Sequence, residues 1–446
     1  MKKIFSLILC CTLALNLTAC GQSEQDKKFD ELVRQSTTGE TSDLEITPAY
    51  DPEGLSANLV LRTYGLDATE QVWRDYIREF NEIYPNIHIE VKLYDLRNVS
   101  GDAYIAQTTV ELMSGEAGDI LDLFWLPAYR YSASGVLKEL DGFMEADPDF
   151  AGDKYYTNVI DAMRCNGKLY TMPYEFGPIG LRLDRPAADD LQVSYGLGVP
   201  IKTSEVLHLA AQAEMPVLDL GYTDWAALNI IEFSSRIDGD AKTSSLDSES
   251  FIQYLKDLKA VEYGETLTPF GDSFYTDFGD LGSGFAEVVK LGTADKTMMR
   301  SYRNLNDSPN VTPLMVPETD EGDRLFTAGS LAITTACEND EAAFAFIKFV
   351  LDCDRKLDPE NYYHSVYGTV NREIHQKLLK LYLEDDAEAA AFDEWFTTLT
   401  KVVFSESNIE LQNKLNEICD QYMRDLLSAE DCAKQMQGVA DIYLNE

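Results

Sequence analysis

Histidine is scarce in this 446-residue chain. The four present, His88, His208, His364 and His375, are dispersed, and none stands in an HExxH or beside a metal-spaced cysteine pair. There is no GxSxG elbow and no glycine-rich phosphate loop, and Gly196-Leu197-Gly198 runs on into Val199-Pro200 and fails as a dinucleotide fingerprint. These absences argue against zinc hydrolases, nucleophile-elbow hydrolases and nucleotide-binding enzymes, so no catalytic residue, metal or cofactor is expected. Positive charge is short too: 37 Lys and Arg face 77 Asp and Glu, a formal net charge of −40. Such a surface repels nucleic acid, which excludes a nucleic-acid partner. The acidity is spread along the chain and selects no ligand. Cysteine is thin after the first twenty residues: Cys165, Cys337, Cys353, Cys419 and Cys432, an odd number with no CxxC spacing. That is no disulfide framework, and buried apolar thiols are the expected role.

Only one long apolar run exists. Lys2 and Lys3 precede fourteen residues, 4–17, which suit a secretory core segment and are too few to span a bilayer. The run ends in Leu17-Thr18-Ala19-Cys20-Gly21, which resembles a bacterial lipobox. The resemblance implies that 1–19 is removed and that Cys20 carries the lipid, two acyl chains being enough for stable anchoring at ~0.8 kcal/mol per buried CH₂. A lipid anchor on the extracellular face of the cell membrane is therefore expected, with a polar, acidic tether over 20–57.

The body opens on a strand–helix–strand unit. A short apolar run at 58–64 meets Gly65-Leu66-Asp67, where Asp67 suits a helix N-cap with Glu70 three residues on. Val72, Trp73, Tyr76, Ile77, Phe80, Ile83 and Tyr84 recur at helical spacing until Pro85, and Ile87, Ile89, Val91 and Leu93 then alternate as in a strand. A helix over 103–113 and a strand over 119–125 follow, which makes an α/β start with a parallel sheet. Helices are expected at 203–214, 224–235 and 249–262, a strand at 327–335 and a helix at 340–351. From about 388 everything reads helical, with Leu411, Leu415, Ile418, Tyr422 and Leu426 on one face.

Four blocks in order now carry a resemblance: the strand–helix–Tyr84-Pro85–strand unit; 118–125 followed by Ser134-Gly135-Val136-Leu137; Asn166-Gly167-Lys168-Leu169-Tyr170-Thr171-Met172-Pro173-Tyr174; and 312–317 through Thr327-Ala328-Gly329-Ser330 to the helix at 342–349. Over 58–446 the chain resembles the family 1 extracellular solute-binding proteins of ABC importers, the group that contains maltose-binding protein. Where that family usually has a Tyr-Asn-Lys strand, this chain has Leu181-Arg182-Leu183-Asp184-Arg185. The resemblance implies the two-lobed α/β fold of type II periplasmic binding proteins. Lobe 1 would be 58–173 plus 328–364, lobe 2 would be 178–323 plus 369–446, and hinge crossings would fall at 174–177, 324–327 and 365–368. It also implies a monomer that takes a small solute, a sugar or oligosaccharide before a peptide, polyol or polyamine, and passes it to ABC permease subunits. The same fold presenting its ligand to a membrane sensor kinase, or a secreted glycoside hydrolase, is the alternative.

A sugar needs an aromatic plate for its C–H face and carboxylate, amide or guanidinium groups for its hydroxyls. Ligands of open α/β sheets bind beyond the carboxyl ends of the strands. On that ground the candidates are Asp67 after the first strand, Trp125 and Tyr129 after the third, and Tyr174, Glu175 and Phe176 at the first crossing. Trp225, Tyr302 and Arg303 in the second lobe, and Ser330 beside Gly329 at the second crossing, complete the set. Each has a plainer role open to it: Asp67 as a helix cap, Trp125 as core, Trp225 as helix packing.

Overall fold

The structure, a computed structural model, describes residues 49–215, 217–219, 226–261, 286–290, 310–357, 369–382, 386–403 and 409–445. Cys20 with the signal and most of the tether, Trp225, Tyr302, Arg303 and the crossing at 365–368 lie outside the described residues.

The alternating start folds as its pattern dictates. β1 (Ala57–Gly65) leads into α1 (Asp67–Ile83), whose Trp73, Tyr76, Ile77 and Phe80 form one buried stripe. β2 (Ile87–Asp95) returns parallel to β1 in register from Ala57 opposite Ile87 to Gly65 opposite Asp95. α2 (Gly101–Ser114) is capped by the Ser100 hydroxyl, which accepts from the Ala103 N–H at 3.3 Å, and ends at Gly115 with φ of 76°. β3 (Ile120–Asp122) is shorter than its apolar run, because the chain turns once the Phe124 N–H bonds the Asp122 carboxylate at 3.2 Å. α3 (Ala128–Ser134) follows.

Two longer strands join the halves. β4 (Thr171–Leu183) carries straight through the Leu181-Arg182-Leu183 departure, and Asp184 then caps a short helix by accepting from the Ala187 N–H at 2.9 Å. After α4 (Thr203–Ala213), β5 (Val217–Asp219), α5 (Ala226–Ser235), α6 (Glu249–Ala260) and β6 (Ala286–Lys290) comes β7 (Leu325–Ile333). α7 (Asp340–Asp352), α8 (Arg372–Tyr382), α9 (Asp386–Thr397), β8 (Lys401–Val402), α10 (Ile409–Met423) and α11 (Ala429–Asn445) follow, with shorter helices and strands between the elements named. The sheet order is β2-β1-β3-β7-β4-β6-β5, with β8 beside β7. β7 runs antiparallel to both β3 and β4, and β4 passes from β7 to β6 along its length.

These strands link separate cores. Tyr64, Tyr104, Leu121, Leu126, Tyr131 and Ala332 belong to one buried cluster, whereas Ile179, Ile237, Phe251, Leu325, Leu415 and Met436 belong to another. The opposite ends of β7, Leu325 and Ala332, thus sit in different cores. The expected helical tail is broken by β8. Leu426 leaves the face shared by Leu411, Leu415, Ile418 and Tyr422, because Asp425 at φ of 61° turns the chain out of α10. All five described cysteines are buried and unbonded to one another.

Candidate binding site between two cores

The carboxyl ends of β1, β2 and β3 form an open mouth. Leu66 follows β1 and is 40% exposed, Leu96 follows β2 and is 43% exposed, and Trp125 follows β3 and is 39% exposed. The Leu96 N–H donates to the Gly65 carbonyl at 3.0 Å, which holds the first two loops side by side. Trp125 meets Tyr64 edge-on at 6.0 Å and Phe124 at 5.5 Å, while Tyr64 stacks on Tyr104 at 4.7 Å. A large ring fixed by others yet left in solvent is suited to receive an apolar face. Leu66 stands where the end of the first strand was expected to face a ligand, whereas Leu96 was not among the sequence candidates; its place directly after a predicted strand was the available signal.

Charged groups rim this surface. Arg97 reaches the Asp67 carboxylate at 2.8 Å and donates from Nε to Asp95 at 2.8 Å. The Arg97 hydrogen bonds hold the Asp95 carboxyl below the ordinary carboxylate range. Asp67 does not cap α1: Leu66 holds the cap position, and the Thr69 N–H bonds the Leu66 carbonyl at 2.8 Å. The Asp67 side chain is therefore available at the rim. Below the mouth, Asp122 accepts from the Thr63 hydroxyl at 2.8 Å and from the side chains of Trp73 and Tyr174. Burial nevertheless pushes its carboxyl up.

The first crossing divides its candidates by strand geometry. Tyr174 is buried edge-on against Trp73 at 5.4 Å with its hydroxyl on Asp122. Phe176 is 0% exposed, packed between Tyr156 at 5.5 Å and Phe396 at 5.7 Å, so it serves as core. Glu175 lies half-buried over Gly329, where a Cβ would sit 2.6 Å from its Oε1. Ser330 is buried in the sheet beside a register shift, its carbonyl accepting from the Leu123 N–H at 2.9 Å. Tyr129 lines a cavity of about 240 Å³ with Met163, Cys165, Thr171, Gly239 and Lys401. The structure thus puts Asp67 and Trp125 at the strand ends, keeps Glu175 at the crossing, sinks Tyr174, Phe176 and Ser330 inward, and places Tyr129 in a cavity that residues of both cores line.

Among the described residues no group of three His, Cys, Asp or Glu side chains is placed to hold a metal ion. The arrangement offers a recognition surface at the strand ends of the first core.

Solved structures share this architecture. An ABC substrate-binding protein from Listeria monocytogenes in complex with cycloalternan is 16% identical, with a TM-score of 0.57 over 88% of this chain and 100% of that one. The sugar-binding protein MalE from Xanthomonas citri is 14% identical, with a TM-score of 0.60 over 87% of this chain and 97% of that one. Maltose-bound MalE3 from Thermotoga maritima is 16% identical, with a TM-score of 0.54 over 87% and 99%. At such identity the likeness speaks to the fold, the two-lobed α/β arrangement of type II periplasmic binding proteins. The sequence model of a bacterial extracellular solute-binding protein family matches residues 75–358, well over half the length. The chain belongs to the bacterial extracellular solute-binding proteins.

Proposed function

We propose that this chain is the lipid-anchored receptor of an ABC importer and captures a sugar or oligosaccharide between its lobes. The observation that carries the reading is Trp125, a half-open indole held by fixed rings after β3, with the Asp67–Arg97 pair after the neighbouring β1 and β2 of the same sheet. A ring face with carboxylate and guanidinium neighbours matches a solute with a C–H face and peripheral hydroxyls. The structural relatives bound to cycloalternan and maltose support the same solute class.

Lobe 1 is 58–173 plus 328–364 and lobe 2 is 178–323 plus 369–446, with crossings at 174–177, 324–327 and 365–368. The monomer closes by bending at the crossings, buries the solute and docks on the permease. Cys20 holds it to the outer face of the membrane and 21–57 gives it reach; Cys20→Ser releases it into the medium if that reading is right. The solute is identified by a thermal-shift screen over mono- and oligosaccharides, since a ligand in large excess over its Kd adds about 2.7 kcal/mol at one hundred times Kd. A stabilising sugar recovered chemically intact supports the receptor. No shift from any sugar, or turnover of one, overturns it.

A further inference from the structure

Trp125 stands out in solvent because the backbone beneath it is tied down. The Leu123 N–H donates to the Ser330 carbonyl of β7 at 2.9 Å, which keeps the chain in the sheet one residue past β3. The Leu126 N–H then reaches back to the Leu123 carbonyl at 3.0 Å and closes a four-residue turn. Leu123 and Leu126 are buried, so both feet of the turn are fixed and Trp125 lies at its tip.

One side chain holds the turn from below. The Phe124 N–H donates to the Asp122 carboxylate at 3.2 Å, an aspartate bonding its own backbone two residues on. The other Asp122 oxygen accepts from the Thr63 hydroxyl of β1 at 2.8 Å. The Trp73 indole of α1 and the Tyr174 hydroxyl of β4 donate to the same carboxylate. Asp122 is therefore the point where β1, β3, α1 and the first crossing meet.

All four of these donors are neutral. Burial pushes the Asp122 carboxyl up, and the hydrogen bonds pull against it. An ionisable group sunk in a core costs stability that an apolar residue of its size would not. Packing alone does not call for an aspartate there; a turn that must keep its tip fixed does.

We infer that Asp122 is the positioning residue for the Trp125 plate, locking the turn that presents the indole and tying it through Tyr174 to the first crossing. The inference rests on the reading of Trp125 as a solute surface. It adds a buried residue that sets affinity without touching the solute, and a link from the plate to a strand that joins the cores.

Asp122→Asn keeps the shape of the side chain and breaks its fan of bonds, since an amide has one acceptor oxygen where a carboxylate has two. In the protein labelled with 5-fluorotryptophan, the Trp125 fluorine signal is identified by its loss in Trp125→Phe. Without any solute, Asp122→Asn should shift and broaden that signal relative to the parent. A folded Asp122→Asn chain with an unchanged Trp125 signal overturns the inference, even if the Trp73 signal moves. If circular dichroism shows that variant unfolded, Tyr174→Phe decides by removing one hydroxyl from Asp122. A moved Trp125 signal then supports the link, and an unmoved one overturns it. With the solute found by thermal shift, Asp122→Asn should weaken binding at least about fivefold, yet weaken it no further in a chain carrying Trp125→Ala. Additive losses overturn the assignment, because a residue that acts through Trp125 then has nothing left to act through. The fluorine readout uses no solute, so failure of the sugar reading leaves it standing.

Discussion

The strand-end mouth and the Tyr129–Gly239 contact are made of opposite materials. The mouth leaves Leu66, Leu96 and Trp125 uncovered, with charged Asp67, Asp95 and Arg97 around them. The contact pairs Asn166 with Asp240 and tucks Tyr129 over a glycine. Uncovered apolar surface is costly in water and cheap once something replaces the water. A polar contact between moving parts loses less when it parts, since water takes over its hydrogen bonds. One region is left open to a foreign molecule and the other is filled by the chain itself.

The sharpest break in that comparison is at neighbouring residues of one strand. Phe176→Ala removes a fully buried ring and should cost about 3–5 kcal/mol of unfolding free energy. Glu175→Ala, one position away and half-buried, should cost no more than about 1 kcal/mol. Urea unfolding followed by circular dichroism measures both. Equal costs would mean that the crossing is not divided into an inner and an outer face.

That division was open to reading. Side chains alternate along a strand, so Tyr174 and Phe176 share one face and Glu175 takes the other. Treating 174–176 as a block of cleft residues ignored that period, and the structure sends the two aromatics inward. The early strands and α1 were legible because each buries one face against a core, which imprints a regular period on the sequence. β8 is only two residues long, pairing with Leu325 and Phe326, too short to imprint a period, although Thr398, Thr400, Val402 and Val403 around it are strand-favouring residues. Tyr129 and Gly239 were illegible as partners for a different reason. A glycine whose value lies in what approaches it from a distant segment looks, in one sequence, like any glycine of a turn. Tyr129 was expected at the solute mouth because it follows the same strand as Trp125; in the first turn of α3 it lines the cavity that Thr171 shares with Gly239 and Asp240.

A middle-sized effect separates the mouth from the structure under it. Trp125→Ala should weaken binding of the identified solute by about 1–3 kcal/mol, the scale of a lost anchoring aromatic. The same change should alter unfolding free energy by less than about 1 kcal/mol, because the indole is already partly in solvent. Titration calorimetry and urea unfolding on one preparation give both numbers. Unchanged affinity would remove Trp125 from the solute surface, and a loss confined to stability would make it core.

The smallest effect lies at the rim, where Arg97 is shared between Asp67 and Asp95. Asp67→Asn should change stability by no more than about 0.5 kcal/mol, and by less at high salt, because an exposed ion pair is screened. Asp95 should keep its charge where an unpaired aspartate begins to lose it, since the Arg97 hydrogen bonds lower its pKa. The sign follows from linkage: a carboxyl depressed in the folded state contributes stability above its unfolded pKa, near 3.9, and that contribution is lost as pH falls through the folded value. Carbon-detected NMR of the carboxyl signals between about pH 2 and 6 reads it directly. With Arg97→Gln the Asp95 titration should move up into the ordinary range. If it stays low, something other than Arg97 holds the charge, and the rim loses the guanidinium-fixed geometry that sets it apart from the Tyr129–Gly239 contact.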